Sequence, residues 1–142
     1  MNVVCFYDKN KNRSPVREYL DQYKTGPSLS REEKKEREKI LIKIDAKIQY
    51  LKSINGLPQP PTAKPLKGER HHELCVSKND QAVIRINYQR RDGRICLLNV
   101  YEKPAKKTKE RNTKRIIESA NLEAARLIKQ LDEDPKSYIP YE

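Results

Sequence analysis

Leu66–Glu110, LKGERHHELCVSKNDQAVIRINYQRRDGRICLLNVYEKPAKKTKE, decides the fold of this chain. Three runs in it read as strands: about His71–Ser77, Gln81–Gln89 and Ile95–Lys103. The links between them are short and polar, Lys78-Asn79-Asp80 and Arg90-Arg91-Asp92-Gly93-Arg94, and Asp-Gly is a strong hairpin signal. Alternating, β-branched-rich runs joined this way predict an antiparallel meander. Side chains alternate across a strand, so each face can be read separately. His72, Leu74, Val76, Ala82, Ile84, Ile86, Tyr88, Cys96, Leu98 and Val100 make one mostly apolar face. Glu73, Cys75, Val83, Arg85, Asn87, Leu97, Asn99 and Tyr101 make the other, of mixed polarity. The first face calls for helices to cover it; the second is where a site would lie.

The flanks supply the helices. Asn2–Tyr7 reads as a fourth strand. Ser14-Pro15 is a helix start, a capping hydroxyl followed by proline at the first helical position, and Gly26-Pro27 ends that helix. Ser30 and Glu33 have capping-box spacing and open a second helix, whose first turns are almost wholly charged and read as a solvated face. Its later turns place Ile40, Ile44, Ile48 and Leu51 on one face, and Asn55-Gly56 closes it. LPQPPTAKP is a proline-rich connector. A last helix runs from about Thr108 or Thr113 to Leu131, with Ile116, Ile117, Ala120, Ala124, Leu127, Ile128 and Leu131 as its apolar stripe. The expectation is one α+β domain over 1–131. It has an antiparallel sheet (N-terminal strand plus meander), two N-terminal helices and a C-terminal helix, followed by an acidic tail, 132–142.

Composition narrows the partners. Lys and Arg number 31 against 20 Asp and Glu, a formal net charge of +11, which favours polyanions, nucleic acid ahead of lipid. No apolar run approaches the ~20 residues a membrane helix needs, and the first residues lack the layout of a signal peptide. Cys5, Cys75 and Cys96 are odd in number and have no metal-ligand spacing. A cytoplasmic protein without metal, cofactor or membrane partner is expected.

Several phrases, in this order, resemble the RelE/ParE toxin superfamily, most closely its HigB-like, phage-derived branch. They are CFYDKNKNRSPVREYL, INGLPQPPTAKPLKG, HHELCV, VIRINY, LLNVYEKPAKKTK and IIESANLEAARL, and the resemblance covers about Val3 to Leu131. The resemblance implies a type II toxin that blocks translation by cleaving mRNA, commonly on the ribosome, and a cognate antitoxin, typically a helix-turn-helix protein. It also marks two departures. Members typically read ELR where this chain has Glu73-Leu74-Cys75, and often have histidine where it has Asn99. A weakened toxin relic, or a ParE-like gyrase inhibitor that still binds its antitoxin, is the alternative.

Such cleavage needs no protein nucleophile, because the RNA 2′-OH attacks the adjacent phosphate. The protein must take that proton, stabilise the added negative charge and protonate the leaving oxygen. Arg85, in mid-strand on the polar face, suits the charge, its planar fork matching phosphate oxygens; an ion pair with Glu73 is the competing use. Tyr101 stacks on a base or donates a proton, or else caps the core edge. His71 shares parity with Glu73 and is the better histidine for proton transfer, whereas His72 falls on the core side. Arg70 joins them as a candidate catalytic clamp. Lys64, Lys67, Lys103, Lys106 and Lys107 form the expected RNA-binding rim, their bland alternative being a solvated basic loop.

Overall fold

The computed structural model describes residues 1–105 and 110–142, the side chain of residue 110 aside. Among these residues the order is β1 (Asn2–Phe6), α1 (Pro15–Asp21), α2 (Arg31–Ser53), β2 (Ala63–Pro65), β3 (His72–Ser77), β4 (Ala82–Arg91), β5 (Arg94–Pro104), α3 (Glu110–Glu133) and β6 (Tyr138–Pro140). The strands make one mostly antiparallel sheet in the order β2-β3-β4-β5-β1-β6. The α+β class is as the patterning requires.

Local chemistry explains the element ends. Ser14 Oγ accepts from the Arg17 N–H at 3.3 Å, and Ser30 Oγ accepts from the Glu33 N–H at 3.1 Å, each satisfying a helix-start donor. Asp92 and Gly93, at φ 49° and 73°, form the tight left-handed turn that matches the twist of the β4–β5 hairpin. Gly56, at φ +70°, turns the chain out of α2 so closely that an added Cβ would sit 3.0 Å from Ile95 Cγ1. Its carbonyl accepts the buried Tyr88 hydroxyl at 3.0 Å.

Four expectations are corrected. First, β1 runs parallel to β5, Val4 lying opposite Cys96. Second, the residues after 131 are no detached tail. α3 continues to Glu133, and β6 pairs antiparallel with β1, adding an edge strand to the sheet. Third, the proline-rich connector contributes β2, which pairs Lys64 with Glu73.

The fourth correction bears on the site. The β4–β5 register breaks after Asn87↔Asn99, the next pair being Tyr88↔Leu97, so Leu98 is an extra residue in β5. The bulge shifts parity. Leu97 and Ile95 pack with α1 and α2 in one core, along with Leu74, Val76, Ile84, Ile86, Tyr88, Ile44, Ile48 and Leu51. Cys96 and Leu98 turn to the opposite face and join Val4, Phe6, Ala124, Leu127, Ile128 and Leu131 beneath α3. Helices therefore cover both faces, not the apolar one alone. Each fully buried Leu or Ile contributes roughly 1.5–3 kcal/mol, so both cores are substantial. Beyond the bulge, Asn99 and Tyr101 stay on the α3 side with Arg85 and Asn87, and there α3 meets polar rather than apolar sheet.

Candidate functional site

On that side the register sets out three rows. Lys64, Glu73, Asn87 and Asn99 form the first, Cys75, Arg85 and Tyr101 the second, and Ser77, Val83 and Lys103 the third. The first row is the hinge between helix and site. Asn99 donates to the Ala120 carbonyl of α3 at 3.0 Å and accepts from Asn87 at 3.1 Å. Asn99 is thus a buried bracket for α3 rather than a group facing substrate.

Glu73, also of the first row, holds the second row together. It is 1% exposed, yet its carboxylate gathers three side chains. Arg85 Nη1 lies 3.1 Å from Oε1, the Tyr101 hydroxyl donates to Oε2 at 2.6 Å, and the Cys75 thiol lies 3.7 Å from Oε1. Arg85, Tyr101 and Cys75 are only half-buried, so the cluster reaches solvent through them and not through Glu73. The phenol of Tyr101 is pushed well above its ordinary pKa by burial and by its bond to Glu73, which holds it protonated. Burial works against the Arg85 cation, but Tyr101 and Glu73 outweigh it and its pKa stands above the usual guanidinium value. Burial chiefly, then the Glu73 charge, likewise raises the Cys75 thiol, so Cys75 is no activated nucleophile. Arg85 Nε is buried and has no hydrogen-bond partner among the described residues.

The expected site residues divide. Arg85 and Tyr101 are together, and Lys64 and Lys103 stand on either side of them, both partly exposed. Lys67 is exposed in the loop after β2. Lys106 and Lys107 lie outside the described residues. His71 is corrected: it does share the face of Glu73 but is 0% exposed under α3, its Nε2 3.0 Å from Asn121 Oδ1. A histidine sealed there ties β3 to α3 and meets no RNA. Arg70 is corrected as well. It projects at the far end of α3, where Asp132 accepts two bonds from it, at 2.7 and 3.2 Å, and one from Arg91 at 2.7 Å. It belongs to an ion-pair cluster apart from Arg85.

Glu73 is the residue that sequence reasoning placed only as a competing partner for Arg85. Its signal was available: a carboxylate at polar-face parity one strand from an arginine. The Tyr101 bond was not legible, because it spans two strands. Among the described residues no group of three or more His, Cys, Asp or Glu side chains could hold a metal ion, and no helix is long and apolar enough to cross a membrane. Comparison of the chain with protein-family models, curated proteins and solved structures gives no match.

Proposed function

We propose that this chain is a RelE/HigB-like toxin, a metal-independent endoribonuclease that cuts mRNA on the translating ribosome and is held in check by a cognate antitoxin in the cytoplasm. The observation that carries the reading is the convergence of Arg85 and Tyr101 at one solvent-reaching cluster, with Lys64 and Lys103 on its flanks. A cation with a planar fork beside a phenol suits a phosphodiester whose own 2′-OH attacks, and lysines either side suit the neighbouring phosphates. The net charge of +11 supports a polyanionic partner of this size. Tyr101 and Arg85 would touch the reacting nucleotide, and Lys64, Lys67 and Lys103 the backbone.

A second reading has its own observation. Arg85 is already paired with Glu73, Cys75 stands where the resemblance expects arginine, and Asn99 is committed to α3. These favour a non-catalytic binder, either a relic or a ParE-like gyrase inhibitor. Mapping of mRNA 5′ ends after adding pure protein to a bacterial translation reaction separates the two. New ends within codons, formed only while ribosomes translate, are the expected result. Ends on naked RNA as well would make it a free ribonuclease, and no new ends would leave the binder.

A further inference from the structure

The polar cluster holds a neutralised arginine behind a tyrosine whose proton already points at a carboxylate. From that arrangement we propose that Tyr101 and Glu73 form a proton relay that uncovers the charge of Arg85 during RNA cleavage. The proposal rests on the endoribonuclease reading above and assigns a role to Glu73 that the reading leaves open.

An ionised carboxylate only accepts, so in the 2.6 Å contact the Tyr101 hydroxyl donates to Glu73. Arg85 faces one lone pair of the phenolic oxygen, and the other is what Tyr101 has left to offer a substrate. It can accept a proton from a ribose 2′-OH, but the phenol has no second proton to give. Glu73 itself is 1% exposed and meets no substrate; it acts through Tyr101.

The 2′-OH proton passes to the Tyr101 oxygen as the Tyr101 proton passes to Glu73 Oε2. The 2′-oxygen forms its bond to phosphorus, and the P–O5′ bond breaks. The leaving 5′-oxygen takes a proton from solvent water. The products are a 2′,3′-cyclic phosphate and a 5′-hydroxyl, and Glu73 returns its proton to solvent through Tyr101. Tyr101 never carries a full negative charge, consistent with a phenol held protonated by its surroundings.

In the resting cluster Arg85 and Glu73 compensate each other across 3.1 Å. When Glu73 takes the proton it becomes neutral, and Arg85 is left as an uncompensated cation. That change coincides with the phosphorus centre gaining charge, so Arg85 binds the transition state better than the ground state. Differential binding of this kind raises turnover rather than affinity. The ion pair is therefore compatible with catalysis.

The test uses the full chain in a bacterial translation reaction with one defined mRNA, following single-turnover cleavage over a range of protein concentration. E73Q preserves shape and an acceptor for the Tyr101 hydroxyl but cannot take the proton. Its expected signature is a loss of about 10²-fold or more in maximal rate, with half-saturation at lower protein concentration because Arg85 is permanently uncompensated. Y101F is expected to lose rate to a similar extent with half-saturation little changed, since the ring can still stack. The double variant should be no slower than the slower single variant. If E73Q fails to fold, E73D, which withdraws the carboxylate from Tyr101 but keeps its charge, carries the rate arm alone, with no fall in half-saturation expected. Cleavage by the Glu73 variant within threefold of the parent, or losses that multiply in the double variant, would overturn the relay while leaving the endonuclease reading in place. Absence of cleavage by the parent chain would remove both, and is recognisable as such because no variant is needed to see it.

Discussion

Replacing Arg85 by alanine looks like a clean probe of an active-site cation, and the structure says it is not. Glu73 is 1% exposed, and Arg85, with 15% of its side chain exposed, is its one cationic partner within salt-bridge distance among the described residues. Removing one member of a buried pair costs roughly 3–5 kcal/mol, because the remaining charge stays buried. Tyr101 still donates to Glu73 at 2.6 Å, and a hydrogen bond to a charged group is worth about 1.5–3 kcal/mol, so the low end, about 3 kcal/mol, is expected. A domain of ordinary stability, about 5–15 kcal/mol, would survive but be visibly weakened. In urea, with a slope of about 2 kcal/mol/M, the midpoint should fall by about 1.5 M. The double variant R85M/E73L replaces the pair with apolar groups and should stand within about 1 kcal/mol of the parent, since apolar replacement of buried pairs is often neutral. An R85A midpoint within about 0.5 M of the parent would refute the reasoning and mean that Glu73 is rehydrated or protonated at little cost. Loss of the proposed RNA cleavage in R85A therefore bears on mechanism only beside that melt.

Three further outcomes are expected. Tyr88→Phe removes the hydroxyl that donates to the buried Gly56 carbonyl at 3.0 Å and should cost about 1–2 kcal/mol in the same urea assay; no change would mean that water replaces the hydroxyl. Arg70 and then Arg91 hold the Asp132 carboxyl down to about 2, so it stays ionised well below the usual carboxylate range. A depressed acid stabilises the fold above its unfolded pKa of about 3.9 and loses that contribution as pH falls through about 2. Carbon-detected NMR titration should show Asp132 titrating near 2 in the parent and higher in R70A, with little effect on overall stability because the group is solvent-exposed. Deleting Leu98 joins the Tyr88↔Leu97 pair directly to Asn87↔Asn99, so both halves of β5 keep their faces and one buried leucine is lost from beneath α3. The melt should stay cooperative with a loss of about 2–5 kcal/mol in urea, and loss of cooperative unfolding would show that the sheet needs the bulge itself.

The meander was legible because alternation and an Asp-Gly turn are local signals, and the turn has the positive φ values those residues favour. The capping serines were legible for the same reason. What lay beyond reach was non-local or too short to leave a pattern. Straight alternation along β5 puts Leu97 on the site face, but the extra residue Leu98 hands it to the α1–α2 core. β2 and β6 have three residues each, ending in proline, and take their conformation from the strands beside them. In the site, parity correctly put Glu73, Arg85 and Tyr101 on one face. It also put His71 there, and only the path of α3 shows that this part of the face is sealed. Charge alone did not reveal that Arg70 answers to Asp132, because Asp132 sits on the opposite end of a helix far along the chain.

The position of β1 has a consequence for the order in which the molecule assembles. β1 lies between β5 and β6, Val4 pairing with Cys96 on one side and Pro140 on the other. The hairpins of β3, β4 and β5 close over short turns, a microsecond event, whereas β1 can be enclosed only after distant segments arrive. Loop closure over such separations is slow, and contacts of this kind set folding rates. During synthesis β1 leaves the ribosome before either partner strand exists, displaying Val4, Cys5 and Phe6, all buried in the finished fold. This apolar strand, waiting longest for its neighbours, is the segment most exposed to misassembly. Pulse-labelled amide exchange should find the β3–β5 amides protected before those of β1, and simultaneous protection would mean that the sheet condenses in one step.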